Sequence, residues 1–253
     1  MEGKAIYTIW LREMKRFIRS KPRIIGTIAT PFMFLAILGV GLSSAFSAPG
    51  SGNYLSFLSP GIIGMSLLFT SIFAGMSVIV DKQFGFMKEI LVAPVSRTSI
   101  ALGKILGSGT VSLLTAFMIL VIAVLIGGIS LSFLSLLALG TVIAFMILTA
   151  FVFVSIGLII ASRMKDTEGF SLIMNFLVMP VFLLSGAFFP ATGVPGWMKV
   201  LVYANPLFYS VDGMRGALIG ASSVPIAIDL GIMFGLSVLL IVLASYMFSK
   251  MEK

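Results

Sequence analysis

Long apolar stretches broken by short clusters of charge set the pattern of this chain. No Asp, Glu, Lys or Arg occurs from Ile24 to Val80 or from Ile105 to Ser162. Each run can hold two helices of about 20 residues, the length that crosses a hydrocarbon core, with a turn between them. Division at the charge clusters predicts six apolar helices, near Ile24–Phe46, Phe57–Val80, Ile105–Gly127, Phe133–Ala161, Ser171–Phe189 and Ile226–Phe248. Pro31, Pro60 and Pro180 fall inside them and mark kinks or boundaries, where neighbouring groups must satisfy the carbonyls that proline leaves free.

The segments outside these runs have patterns of their own. Over residues 1–23, a step of about 100° per residue gathers Lys4, Thr8, Arg12, Lys15, Arg16 and Arg19 on one side of a helix and Ile6, Ile9, Trp10, Met14 and Phe17 on the other. Such a helix lies in a membrane interface. Glu13 interrupts its apolar face, so a partner is expected there: a basic residue of the first charged loop, unless the side chain simply snorkels. Residues 190–225 are apolar but interrupted by Pro190, Pro195 and Pro206 and by Lys199, Asp212 and Arg215, which suits a re-entrant pair of short helices better than a full span. Asp212 and Arg215 stand three apart and can pair on one helix face, or form a solvated pair at the mouth. The expected fold is an all-α integral membrane protein with a single transmembrane domain, residues 1–253. Its parts are an interface helix (1–23), spans one and two (24–80), a charged loop (81–104) and spans three and four (105–161). A short charged loop (162–170), span five (171–189), the re-entrant segment (190–225), span six (226–248) and a tail (249–253) complete it.

Composition agrees with this pattern: 59% of residues are apolar, 10% are charged and the mean hydropathy is +1.16, far from an ordinary soluble domain. Charge adds orientation. Of the 17 Lys and Arg, only Lys199 and Arg215 fall on the side opposite the N-terminus in a six-helix arrangement. Basic residues gather on the cytoplasmic side, so both termini and the two charged loops are expected in the cytoplasm of a cell-membrane protein. The net charge of +8 then reflects topology and contact with anionic lipid headgroups rather than nucleic acid. The charged residues 1–23 and the long apolar run behind them do not read as a cleavable signal peptide.

The same composition narrows the chemistry. With no His and no Cys, the chain has no disulfide, thiol nucleophile, imidazole base or usual zinc ligand set. Its cytoplasmic acids, Glu2, Glu13, Asp81, Glu89, Asp166, Glu168 and Glu252, form no D-x-x-D cluster to hold a metal and a pyrophosphate, which argues against an embedded enzyme. An ion-coupled carrier usually keeps an ionisable group at mid-membrane, whereas Asp229 stands only near the outer start of the last helix. The phosphate cradle G-x-x-x-x-G-K-S/T is missing, so if the chain pumps, another chain hydrolyses the ATP. No catalytic, metal-binding or cofactor-binding residue is expected here. Gly103 and Gly107, Gly216 and Gly220, and Gly231 and Gly235 have the spacing of close helix contacts, which 26 glycines also produce by chance.

The most informative stretch is D-K-Q-F-G-F-M-K-E-I-L-V-A-P-V-S-R-T-S-I-A-L-G-K, Asp81 to Lys104. It predicts a short amphipathic helix over Met87–Val92 that stops at Ala93 and Pro94, because the residue before proline is pushed out of helical geometry. Ser96 or Thr98 can cap the helix that follows. Phe84, Phe86, Met87, Ile90 and Leu91 offer an apolar face for a groove of a soluble partner, or for packing on the interface helix.

Four further segments accompany this loop: L-R-E-M-K-R-F-I-R-S-K-P-R (Leu11–Arg23), L-S-G-A-F-F-P (Leu184–Pro190), V-P-G-W-M (Val194–Met198) and N-P-L-F-Y-S-V-D-G-M-R-G (Asn205–Gly216). Together they resemble the membrane subunits of type-2 ABC exporters, the group of bacterial drug-resistance, nodulation-factor and polysaccharide exporter permeases. The blocks stand in the family's order and cover essentially the whole chain. The resemblance implies that two six-span permease subunits form the pathway, the partner being a second copy of this chain in preference to a different one. It also implies two separate ATP-binding-cassette ATPase subunits that hold ATP and magnesium. The loop would be the coupling helix seated in a groove of the ATPase, with Phe84, Gly85, Phe86, Met87, Ile90 and Leu91 at the contact and Lys88 and Glu89 adding charge. The N-terminal segment with Trp10, Glu13 and Arg16 matches the family's interface helix, and the outer re-entrant helices map onto Gly193–Gly220, which includes Asp212 and Arg215. The pathway would follow the first, second and fifth spans, with Asn175, Phe176 and Pro180 as lining or gate candidates, or as ordinary packing residues. Where many relatives carry an arginine and a glutamate before the coupling helix's glycine, this chain has Lys82 and Gln83. The expected function is the permease subunit of an ATP-driven exporter; the alternative is an ATP-independent carrier or scaffold on the same spans. The lack of charge in the spans favours an amphipathic or apolar substrate over a small ion.

Overall fold

In the computed structural model, residues 2–43, 53–85, 95–130 and 135–250 are described, and the regular structure among them is entirely helical. Helix α1 spans Glu2–Arg19 and α2 spans Lys21–Phe34, continued by a π-helical turn over Leu35–Val40. Then come α3 (Tyr54–Ile72), α4 (Met76–Gln83), α5 (Arg97–Leu125), α6 (Leu136–Arg163), α7 (Thr167–Leu183), α8 (Gly196–Ala204), α9 (Pro206–Ile219) and α10 (Ile226–Ser249). A 3-10 turn at Phe73–Gly75 joins α3 and α4 into one rod. Five stretches are long and apolar enough to cross a membrane: Lys21–Val40, Tyr54–Gln83, Arg97–Leu125, Leu136–Arg163 and Ile226–Ser249. Helix α7 is equally apolar but has 17 residues, about 25 Å at 1.5 Å per residue.

Local chemistry starts these helices. Asn53, Ser96, Ser135 and Asp166 each accept a hydrogen bond from a first-turn amide, those of Leu55, Ser99, Ala138 and Gly169, as N-caps do. The ends differ from those expected at the charge clusters. Helix α5 starts at Arg97 and takes Lys104 well inside, the α3–α4 rod runs on to Gln83, and α2 absorbs Lys21 and Arg23. Long charged side chains reach polar surroundings from a helix end, so a charge cluster marks the rim of the apolar zone and not the end of the helix. In the other direction, α1 stops at Arg19, and α7 stops at Leu183 instead of Phe189. Gly186, with φ of 71°, then turns the chain, a conformation that side chains with a Cβ resist.

The α3–α4 rod occupies the middle, packed against α5, α6 and α9, with Leu58, Ile62, Ile63, Leu67 and Leu68 fully enclosed. Glycines set the closest approaches. Gly75 faces the carbonyl of Gly157, and Gly157 faces the carbonyl of Ile72, so backbone meets backbone where the rod crosses α6. Helix α1 lies along α5, where a Cβ on Gly103 would come 2.9 Å from Ile9 and one on Gly107 would come 3.0 Å from Glu13. That glycine pair therefore marks a close contact, whereas Gly231 and Gly235, inside α10, face open space. Helix α7 buries one stripe, Phe170, Met174, Val178 and Phe182, and exposes Leu172, Phe176 and Met179 on the other side.

Residues 190–225 contain the short helices α8 and α9. Asn205 starts α9 by accepting from Leu207 N, and its amide donates to Val181 O at 2.6 Å, fastening α9 to α7. Gly220, with φ of 69°, ends α9 and lets the chain turn into α10, which is the usual helix-ending role of glycine.

Candidate functional site

At the end of the bundle where most of the charge gathers, α1, α4 and α5 meet around one buried amine. Lys104, on α5, is only 2% exposed. Its Nζ donates to Glu13 Oε1 at 2.8 Å, to Asp81 Oδ2 at 2.6 Å and to Ser77 Oγ at 3.2 Å. An ammonium has three donors, and all three are used. Arg12 completes the cluster with a two-pronged contact to Asp81, Nη2 to Oδ1 at 2.7 Å and Nη1 to Oδ2 at 3.3 Å. Two cations and two carboxylates cancel, so the site is neutral as a whole. Buried ions are tolerable only with this degree of pairing and hydrogen bonding.

Further bonds gather the other helix ends around the cluster. Trp10 Nε1 donates to Thr110 Oγ1 at 3.0 Å, a second tie between α1 and α5. Glu2, at the start of α1, accepts from Ser96 N at 3.1 Å and from Ser96 Oγ at 2.8 Å, where α5 begins. Hydrogen bonds from the Ser99 and Ser96 hydroxyls and the Ser96 amide hold the Glu2 carboxyl below its ordinary range. Lys82 Nζ donates to the carbonyls of Ala161, Ser162 and Met164 at 3.1, 3.1 and 3.3 Å, so it caps the C-terminus of α6, where cations are favoured. Arg97 donates to Ser249 O, the last residue of α10, at 2.9 Å. The segment between Gln83 and Ser96 is thus held at both roots: α4 through Asp81 and Lys82, α5 through Ser96, Arg97 and Lys104.

The residues singled out in the sequence fall into several groups. Trp10 and Glu13 belong to the cluster, and Lys104 supplies Glu13 with a basic partner from the Asp81–Lys104 stretch. Arg16 is exposed. Phe84 is 83% exposed at the end of α4, and Gly85 follows with φ of 75°. Phe86, Met87, Lys88, Glu89, Ile90 and Leu91 lie outside the described residues. Asn175, Phe176 and Pro180 share the exposed side of α7, where Asn175 lines a shallow depression with Met76, Glu168 and Ser171.

Asp212 and Arg215 do not pair as expected. The Asp212 carboxylate accepts from Ser223 N at 3.0 and 2.8 Å and from Val224 N at 2.9 Å. Arg215 turns away to Gly186 O at 2.9 Å and stacks 3.9 Å above the Phe57 ring. Both are buried, and each finds backbone partners in a segment other than its own helix. Asp229 is fully enclosed, and neither carboxylate oxygen has a hydrogen-bond partner among the described residues.

Sequence reasoning missed Arg12, Asp81 and Lys104 as site residues because Asp81 and Lys104 served only as loop boundaries. A signal existed: Glu13 on an apolar helix face, together with Gly103 and Gly107 on the helix that leads out of the loop, points to a close docking with a buried counter-charge.

A bundle of apolar helices with its charge collected and neutralised at one end defines a multi-pass membrane protein. The chain belongs to the ABC-2 type transporter family, which matches residues 4–219. It is 27% identical to the inner membrane transport permease YadH of Escherichia coli over 237 residues, 90% of this chain and 88% of that one. It is 28% identical to nodulation protein J of Rhizobium meliloti over 210 residues, 82% of this chain and 78% of that one. It is thus a transport permease and not an enzyme.

Proposed function

We propose that this permease forms the translocation pathway of an exporter as a dimer, driven by a separate ATP-binding-cassette ATPase that holds the ATP and magnesium. In this reading the chain crosses the cell membrane six times, α7 being the fifth span, with both termini cytoplasmic and α8 and α9 re-entering from the outside. The coupling segment is the stretch Phe84–Leu91, and α1 is the interface helix beside it.

The observation that carries the reading is the cluster around Lys104. A ligand-driven change passes between proteins only to the extent that their contacts distinguish two states. Here the two roots of the coupling segment and the interface helix are joined by buried, charge-assisted bonds, so a displacement of the segment moves α1, α4 and α5 together. Through Gly75 and Gly157 that motion reaches α6 directly, because no side chain lies between the backbones to absorb it.

The test is a co-purification of the tagged permease with its ATPase, comparing ATP hydrolysis in wild type and in Met87→Glu plus Leu91→Glu. Release or uncoupling of the ATPase, with the membrane helices still folded, is the expected result. Wild-type permease that captures no ATPase, or a doubly substituted permease whose ATPase stays bound and hydrolyses ATP as before, would sink the assignment.

A further inference from the structure

Between α2 and the α3–α4 rod lies a cleft of about 340 Å³. Arg23, Gly26 and Thr30 line it from α2, and Met65, Phe69 and Phe73 line it from the other side. From Arg23 to Thr30 the wall runs about 10 Å along the helix axis. Its two ends differ in chemistry. Arg23 stands at the end nearest the charge cluster, and it also borders a small recess that reaches Glu13 and Ser77. The rest of the trough is aromatic and aliphatic, with Thr27, Thr30 and Thr70 as its hydroxyls.

The guanidinium of Arg23 is the informative group. Glu13, the nearest acid bordering that recess, is already taken by Lys104 at 2.8 Å. Asp81 is shared by Lys104 and Arg12. Among the described residues no carboxylate or carbonyl receives a hydrogen bond from the Arg23 guanidinium, although the side chains of Arg12, Lys82, Lys104 and Arg215 all have such partners. A half-buried cation beside apolar walls gains most from an anion, and a guanidinium offers two parallel donors to phosphate, sulfate or carboxylate. The volume lies in the range of small-ligand sites.

We propose that this cleft binds an anionic amphiphile, its head on Arg23 and its hydrocarbon chain along Phe73, Phe69 and Met65. Both a membrane phospholipid and a transported molecule can have this chemistry; that the occupant is cargo rests on the exporter reading above.

The experiment uses the permease with its ATPase in phosphatidylcholine vesicles carrying traces of spin-labelled phosphatidylglycerol or spin-labelled phosphatidylcholine. Wild type should immobilise the anionic label in preference. Arg23→Gln should lower that preference about tenfold, as expected for a lost charge-assisted contact, Arg23→Lys should keep much of it, and Lys21→Gln, an exposed charge outside the cleft, should leave it unchanged. Gly26→Leu provides a second test, since a Cβ there meets nothing within 4 Å and the larger side chain fills the trough without touching Arg23's charge; it should reduce immobilisation of both labels. Arg23→Gln behaving like wild type, or no differently from Lys21→Gln, would overturn the proposal, as would Gly26→Leu with full binding. A fluorescent alkyl phosphate separates the sources: ATP-dependent movement into the vesicle lumen marks cargo, and binding without movement marks a resident lipid. ATPase capture and hydrolysis are read in the same samples, so failure of the exporter reading shows there and not in the lipid preference.

Discussion

Lys104 and Asp229 are both buried ionisable residues in helices, and they should respond to substitution with opposite signs. Lys104→Met leaves Asp81 its contact with Arg12 but strands Glu13, and removing one partner of a buried pair costs about 3–5 kcal/mol. Adding Glu13→Gln to Lys104→Met should recover most of that loss, because no uncompensated charge then remains. Asp229→Leu, by contrast, removes a carboxylate with no partner among the described residues and should raise stability by about 1–3 kcal/mol. Thermal unfolding of the purified protein in detergent measures all three; a stabilised Lys104→Met or a strongly destabilised Asp229→Leu contradicts the geometry. Asp212 belongs with Lys104, since its loss frees the Ser223 and Val224 amides. Asp212→Ala should speed hydrogen exchange at those two amides while leaving the α5 amides unchanged.

Between elements, the decisive contacts are those where no side chain intervenes. Gly157→Ala places a methyl against the carbonyl of Ile72, which cannot rotate aside as a side chain could, and should cost about 1–3 kcal/mol as an overpacked core does. Gly231→Ala, facing open space in α10, should be neutral or slightly stabilising, and a thermal comparison of the two variants checks the pair. The docking of α1 on α5 adds a pH dependence. Glu2 has its carboxyl held below the ordinary value of 4.5 by the Ser99 and Ser96 hydrogen bonds. A lowered folded value means the contribution is full above about pH 4.5 and is lost as pH falls through that lower value. Exchange at the Ser96 amide should accelerate in that acid window, and Glu2→Gln should remove the pH dependence; equal acid sensitivity in Glu2→Gln would place its origin elsewhere.

At the scale of the whole molecule, α7, like α2 and α10, leaves one side uncovered. Its exposed side carries Leu172, Phe176 and Met179, with Phe176 84% exposed, as befits a helix that faces the pathway, a second subunit or lipid. The chain has no Cys, so Phe176→Cys offers a single thiol without background. In membranes holding permease and ATPase, its reaction with a thiol reagent should slow or speed when ATP is added. A rate indifferent to ATP argues that this side of α7 faces unchanging lipid.

Much of this architecture follows from the sequence alone. The apolar runs bounded by charge dictate long helices, because a backbone removed from water must bond to itself. The amphipathic face within residues 1–23 dictates α1, and a cap at Ser96 or Thr98 dictates where the helix after the charged loop begins. Short-range chemistry of this kind is written in neighbouring residues. The pairings across the bundle are not. Glu13 announces that it needs a cation, yet many basic residues stand within reach of its end of the bundle, and only the seating of α1 on Gly103 and Gly107 selects Lys104. Asp212 and Arg215 look like partners at helical spacing, and the fold offers each a better one from a distant segment. Sequence shows which charged residues need partners; the tertiary structure decides by whom Glu13, Asp212 and Arg215 are satisfied, because burial ties each to a group that leaves water with it.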